Sequence, residues 1–473
     1  MHRQGTYSNL CNDFVVLGWP GSKFDDFDTI RDRYQQLGLS HQPVNVQGVT
    51  STLSWRHLIY DSKEKFHGLL KDLVTADLGL SVTVSGLLDQ VTECCRAVGI
   101  SPHTICQSMG LWGNTKRLPH FRVLEVTTMC GHSRISSNLV LDLAKQIQNR
   151  TLDSNQASVK MSKLCCDNIF NKARAAKLME KLTTDLEAGV ISIPESPVVT
   201  GITPGKDFGV TINETKCIDC MDCIPYCPMS AIGESTNQGK VSIDAERCTE
   251  CGVCLDAEIC PVEAIVAKDL TWPRTLRAKF HNLHAPYRAA PMLAQVSQPI
   301  RSPDEQRIFA RHKVHSELTN DVSGFLGHGD AEVIVELGRP HLGVTFRDVQ
   351  KVSQALIPVG LQLEHQYPAQ DARNPLADLT TDTAKSIFRQ DILDEKTGWV
   401  CLSLHVPEND VPRIFQNLRD VAIEIDTVFA VDVISRMAKN GTTVAERLAS
   451  EIGAEPAGNC KTNVGLGRPL AKN

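Results

Sequence analysis

Eight of the seventeen cysteines in this 473-residue chain fall within one stretch, residues 210 to 265. Cys217, Cys220, Cys223 and Cys227 are spaced C-x2-C-x2-C-x3-C and are followed by Pro228. Cys248, Cys251, Cys254 and Cys260 are spaced C-x2-C-x2-C-x5-C and are followed by Pro261. Thiolates at this density suit iron. Three cysteines separated by two residues can coil round one face of a cubane iron–sulfur cluster, and the fourth corner is out of reach of so tight a loop. Each proline ends its loop and removes one backbone donor. Two zinc ions are the competing occupants, but zinc sites use two separated C-x2-C pairs rather than three cysteines in one coil. The crowding of the thiols and the lack of a secretory signal speak against disulfides.

The stretch is an internal repeat. VTINETKC aligns with VSIDAERC at an offset of 31 residues, and CPMSAI with CPVEAI at an offset of 33. Over roughly 60 residues it closely resembles the bacterial-type ferredoxin module with two [4Fe-4S] clusters. The resemblance implies crossed ligation, with the fourth ligand taken from the other motif. Cluster one is then expected on Cys217, Cys220, Cys223 and Cys260, and cluster two on Cys248, Cys251, Cys254 and Cys227. The second half departs from the family's three-residue gap by having five residues between Cys254 and Cys260. That departure bears on reduction potential more than on cluster type.

Length and composition frame the rest. The chain is long enough for about three domains. Its 42% hydrophobic content fits a globular protein, and no apolar run suggests a membrane span. The start, MHRQGTYSNLCNDF, lacks the apolar core of a signal peptide. So many thiols in an unexported chain are expected in a reducing cytoplasm. The net charge is −6, and residues 208 to 268 hold ten acidic and four basic side chains, so the remainder is neutral. Each oxidised cubane with its four thiolates adds about −2. A local acidic patch suits a redox partner with a basic docking surface. No basic patch points to nucleic acid.

In the N-terminal region, Phe14 to Leu17 and residues 78 to 85 read as strands, and LLDQVTECCRAVG as a helix ending at Gly99. FRVLEVTTM, Phe121 to Met129, reads as the best strand. Helices are expected at about 136–148, 154–164 and 171–188. On this reading Cys130-Gly131-His132 sits at the end of a strand, where α/β folds place their sites. Cys130 and His132 are therefore the catalytic candidates. With Cys165 and Cys166 they could hold zinc or a third cluster. His103 and Cys106 form a weaker pair, and Cys94 and Cys95 read as core. FVVLGWPGS lacks the spaced glycines of a dinucleotide loop.

Residues 194 to 206 read as a connector. Residues 270 to 305 combine five prolines with Arg274, Arg277, Lys279, Arg288 and Arg301, a basic segment able to lie across the acidic module. Beyond it, strands are expected at 331–337, 360–366, 398–406 and 427–434, and helices at 345–357 and 411–421. This order is that of a ferredoxin-like sandwich, a topology that implies no cluster. A helix at about 443–452 and a glycine-rich tail follow. Arg339 and His341, in a Gly-Arg-Pro-His turn, are candidates for holding a small anionic substrate. Cys401 reads as core, and Cys460 carries no signal.

The expected architecture is thus multidomain, α/β plus α+β. It comprises an N-terminal α/β domain with a helical tail (1–195), the two-[4Fe-4S] ferredoxin module (206–269), a proline-rich basic linker (270–324) and a C-terminal βαββαβ α+β domain (325–473). The expected function is iron–sulfur electron transfer. It would serve either a ferredoxin-fused oxidoreductase, or oxidoreductase subunit, with its site in a flanking domain, or a non-catalytic electron-donating activator or redox-responsive binding protein with a C-terminal sensor or partner module.

Overall fold

In the computed structural model the described residues are 2–20, 27–45, 57–165, 168–193, 199–202, 209–236, 240–267, 273–274, 277, 326–340, 342–363 and 376–467. Eight strands from both ends of the chain form one sheet. From the first half come β1 (Phe14–Pro20), β2 (His57–Tyr60), β3 (Leu80–Leu87) and β4 (Thr104–Gly113). The ferredoxin module supplies four short strands of its own, β5 (Val210–Ile212), β6 (Ile232–Glu234), β7 (Val241–Ile243) and β8 (Ile265–Ala267). The last part of the chain adds β9 (Asp330–Leu337), β10 (Val400–Pro407), β11 (Val428–Arg436) and β12 (Asn459–Asn463). The order of the large sheet is β10-β9-β11-β4-β12-β3-β1-β2, antiparallel throughout.

The regions expected as separate N- and C-terminal domains therefore share a sheet. Two junctions join them: β11 pairs with β4, and β12 inserts between β3 and β4 in what was expected to be a glycine-rich tail. Its sequence, NCKTN, has no apolar alternation, yet all five residues are buried. Burial here follows from a central position in the sheet rather than from residue type.

Both faces of the sheet are covered, so the strands carry apolar residues on each side. On β1, Phe14 and Val16 pack with α1 (Phe27–Ser40), α2 (Lys63–Ala76) and α3 (Leu88–Ala97) through Tyr34, Phe66, Leu70 and Val91. Cys94 and Cys95 belong to this core. Val15 and Leu17 face the other way, onto α4 (Phe121–Thr127), α5 (Ser137–Gln148), α6 (Ser154–Ser162) and α7 (Lys172–Glu187). At the far end of the sheet, Val333, Val335, Phe429 and Val431 pack under α8 (Phe346–Leu356) and α9 (Val411–Ala422).

Two expectations are corrected. Residues 121–127 are helical, not a strand. Their β-branched residues favour a strand by propensity, but Val123 and Val126 lie one turn apart and point into one core with Met129 and Cys130. Cys130 thus follows a helix rather than a strand. In the C-terminal region, residues 360–363 contain no strand, and 364–366 lie outside the described residues. The observed order β9-α8-β10-α9-β11 keeps β9 between β10 and β11.

The ferredoxin module sits against both halves. Tyr226, Cys251 and Val253 join the core of α4–α7. Arg134 pairs with Asp256 and donates to the Cys251 carbonyl at 3.4 Å. Arg277 donates to the carbonyls of Ala245 and Cys248 at 2.7 and 2.8 Å and pairs with Glu395 at 2.6 Å. Arg274 pairs with the buried Glu250 at 3.1 Å. Two arginines of the expected basic linker thus bind the acidic module. Lys279, Arg288 and Arg301 lie outside the described residues.

Candidate iron–sulfur centres

The module's four strands pair as β5 with β8 and β6 with β7, so the two halves of the repeat interlock. This topology brings the cysteines together across the motifs. One cavity is lined by Cys217, Cys220, Cys223 and Cys260. A second is lined by Cys227, Cys248, Cys251 and Cys254. Aliphatic residues fill the remaining walls, including Ile212, Val241 and Ile265 in the first and Val210, Ile232 and Ile243 in the second.

The loops aim backbone donors at the sulfurs, and the repeat reproduces the pattern. Asp219 N–H donates to Cys217 Sγ at 3.4 Å, and Glu250 N–H to Cys248 Sγ at 3.5 Å. Ala231 N–H donates to Cys227 Sγ at 3.2 Å, and Ala264 N–H to Cys260 Sγ at 3.1 Å. The chain reaches these positions through left-handed residues at matching places: Asp219 and Glu250, Met221 and Gly252, Ser230 and Glu263. Only one of the six is glycine. The other five hold a conformation that side chains disfavour, as expected where the loop must curl its amides inward.

Burial favours the protonated thiol at several of these cysteines. Burial pushes Cys223 up to about 12 and Cys251 up to about 11, and raises Cys248 and Cys254 well above the ordinary value. Cys260 goes the other way. Burial there is outweighed by backbone donors, Ala264 first. Deprotonating the quartets requires a cation to take the charge, so metal uptake releases protons. Four soft donors round an apolar cavity, with amides aimed at the sulfurs, fit an iron–sulfur cubane.

The two cavities differ in surroundings. Cys220 is exposed, and beside it Ile218 and Met221 are 61% and 38% exposed. Asp219 and Asp222 lie within the same loop. The second cavity faces the body of the protein, where Arg134, Arg277 and Lys396 approach it. Burial, then Arg117, Arg247 and Arg277, bring the Lys396 ammonium down to about 8. Its charge in turn favours the Cys227 thiolate.

The other candidates fare differently. Cys130 is fully buried and His132 nearly so, in the core beneath α4–α7. Among the described residues, the donor atoms of Cys130, His132 and Cys165 do not gather within 4.8 Å, so a third metal there finds no support; Cys166 lies outside the described residues. Arg339, expected to hold an anion, is enclosed by protein. It is fully buried, pairs with Glu336 at 3.2 Å and lies 3.9 Å over the Trp399 ring. His341 lies outside the described residues. His103 is near Thr104, and the histidine beside Cys106 is His2. Nothing in the sequence pattern points to that contact, since it joins residues 104 positions apart.

A family model described as a 4Fe-4S dicluster domain matches residues 216–266. The pyruvate synthase subunit PorD of Methanothermobacter marburgensis is 40% identical over 60 residues, which are 13% of this chain and 65% of that protein. PorD of Methanocaldococcus jannaschii is 32% identical over 78 residues, 16% of this chain and 87% of that protein. A ferredoxin of Methanothermococcus thermolithotrophicus is 37% identical over 62 residues, 13% of this chain and 98% of that protein. This chain spans just under two thirds of the first relative's length, and these likenesses cover no more than 16% of its own. Among the described residues no helix is long and apolar enough to cross a membrane. Through residues 216–266, the chain belongs to the family of 4Fe-4S dicluster ferredoxin domains.

Proposed function

We propose that the chain is the cluster-bearing electron-transfer component of an oxidoreductase, carrying two [4Fe-4S] clusters. Cys217, Cys220, Cys223 and Cys260 hold the first; Cys248, Cys251, Cys254 and Cys227 hold the second. The observation that carries this reading is the sorting of eight cysteines into two cavities, each with three from one motif and one from the other. Such clusters exchange electrons singly. The chain's own residues supply the rest. Exposed Ile218 and Met221, with Asp219 and Asp222, form a docking surface for a redox partner that presents basic residues round an apolar centre. The second cluster hands electrons on toward the sheet and α4–α7, where Arg134, Arg277 and Lys396 offset the charge of the reduced state.

Likeness to PorD supports a subunit role in an assembly of the pyruvate synthase kind. The other parts of the chain would then supply contacts with partner subunits. This reading assigns no catalytic part to Cys130 or His132. The test is electron paramagnetic resonance of the dithionite-reduced protein, with Cys220→Ala and Cys251→Ala as probes of the two sites. Two interacting cubane signals are expected in the parent, and one isolated signal in each variant. A parent protein that stays silent on reduction, with zinc in place of iron, would contradict the proposal.

A further inference from the structure

Register traces one face of the sheet from Val15 through Ser85, Lys461 and Cys106 to Ile434 and Glu332. At the β1 end this face packs under α4–α7. Along β12, β4, β11 and β9 it carries buried polar groups: Cys106, Asp432, Glu332, Glu336 and Lys461 are each no more than 3% exposed. Burying this many charges is expensive unless they are paired or ligate something.

Three of these groups meet at one point. His2 Nε2 lies 3.4 Å from Cys106 Sγ and 3.6 Å from Asp432 Oδ2. All three donor atoms lie within 4.8 Å of one another, and all three residues are buried. They come from the start of the chain, β4 and β11. The segment bearing His2 is pinned on both sides. Arg3 pairs with Asp13 at 2.7 Å, and its own carbonyl accepts from Asn459 Nδ2 at 3.3 Å. Gln4 N–H donates to Thr128 Oγ1 at 2.9 Å.

The imidazole is set up as a ligand. Its Nδ1 donates to the Asn459 carbonyl at 3.0 Å, which leaves the Nε2 lone pair facing Cys106 and Asp432. Because a carbonyl can only accept, Nδ1 carries the proton and Nε2 is the nitrogen able to ligate. A tetrahedral zinc with Zn–S of about 2.3 Å and Zn–N or Zn–O of about 2.0–2.2 Å separates its ligands by roughly 3.3–3.6 Å. The observed 3.4 and 3.6 Å fall at that spacing. Lys461 stands opposite Cys106 in register, and its charge acts on His2, Cys106 and Glu336 alike. Glu336 stays anionic despite burial, because Arg339 and Lys461 are among the cations beside it.

We propose that His2, Cys106 and Asp432 bind one divalent metal ion of the zinc class, at a site separate from the two cysteine cavities. With the Cys106 proton released as the ion binds, an imidazole, a thiolate and a carboxylate carry −2 between them and match a divalent ion. Three protein ligands leave the fourth position for water or a small molecule, the pattern of zinc sites with an exchangeable ligand.

The test uses the full chain with its iron intact, dialysed against a zinc buffer and then gel-filtered. Elemental analysis is expected to give about one zinc per chain. Zinc-edge X-ray absorption is expected to show one sulfur neighbour at about 2.3 Å and the remainder nitrogen or oxygen. Cys106→Ser and Asp432→Asn, each with unchanged iron, should bind zinc at least tenfold more weakly; His2→Gln serves if either fails to fold. Absence of zinc in the parent overturns the proposal. So does zinc with four sulfur neighbours, which would place it in a cysteine cavity, or zinc retained by the variants.

Discussion

Replacing Lys396 by methionine removes a buried cation beside the second cavity while keeping an unbranched side chain of similar length. A β-carbon on Gly343 would lie 2.9 Å from Lys396 Cε and 3.4 Å from Met229 Sδ, so the lysine stem and a residue lining that cavity flank the same glycine. A unit charge on the order of 10 Å from the cluster contributes about 1.7 kcal/mol at an effective dielectric of about 20. For a one-electron couple that is roughly 70 mV. The sign follows from charge. A protonated Lys396 stabilises the more negative, reduced state and raises the potential. Because burial lowers the ammonium's pKa, the parent's second potential should fall as rising pH removes that proton. Lys396→Met should sit roughly 70 mV lower at pH 6.5, and the gap should narrow as the parent's ammonium loses its proton at higher pH. The assay is a redox titration read by electron paramagnetic resonance at several pH values. Equal potentials at pH 6.5, or a gap that persists unchanged to high pH, would refute the placement of this charge beside the second cluster.

Asp13 is fully buried between Arg3 and Arg174, at 2.7 and 2.9 Å. Asp13→Ala strands two arginines and should cost about 3–5 kcal/mol, seen as an earlier urea midpoint; an unchanged midpoint would contradict this. Burial alone would raise the Asp13 carboxyl, but Arg3 and Arg174 hold it below the usual range. Its contribution is therefore present above about pH 4 and lost as pH falls through the lower folded value, so Asp13→Asn should flatten the acid limb of the stability profile. Gly233→Ala would push a β-carbon to 2.1 Å from the Val199 carbonyl oxygen and should cost about 1–3 kcal/mol, measured as faster cluster loss on warming. Gly252→Ala meets open space and carries only the strain of φ 72°, about 1 kcal/mol, so the reverse ranking of the two would be a failure of the argument. Reduction of a basic redox partner should slow several-fold between about 0.05 and 0.5 M salt in stopped-flow measurements; a salt-independent rate would exclude the acidic loop as the docking surface.

The cluster motifs were legible because their chemistry is local. Ligand spacing within each loop is set by a few residues, and the repeat marks which cysteines correspond. Helices α3, α5, α6 and α7 and strands β1, β3, β9, β10 and β11 were legible from periodicity, since each buries a regular apolar set. What escaped was fixed by long-range contacts. Residues 121–127 carry strand-forming side chains but are helical because that geometry turns Val123 and Val126 into one core. Strand β12 is polar and is a strand only because β3 and β4 flank it. The joining of both ends of the chain in one sheet, and the meeting of His2, Cys106 and Asp432, leave no trace in spacing. The Gly-Arg-Pro-His turn reads as an anion-binding type from its residues, but the burial of Arg339 against Glu336 and Trp399 leaves no trace in the sequence.

The central claim is that two cubanes sit on crossed quartets. It is tested most directly by iron and sulfide analysis of anaerobically purified protein, together with spectra of single-cysteine variants. The parent should contain about eight irons and eight sulfides. Cys227→Ala should keep about four of each and give the reduced spectrum of Cys251→Ala, although its sequence neighbours are Cys217, Cys220 and Cys223. A Cys227→Ala spectrum matching that of Cys220→Ala, or a parent with zinc and no sulfide, would contradict the account.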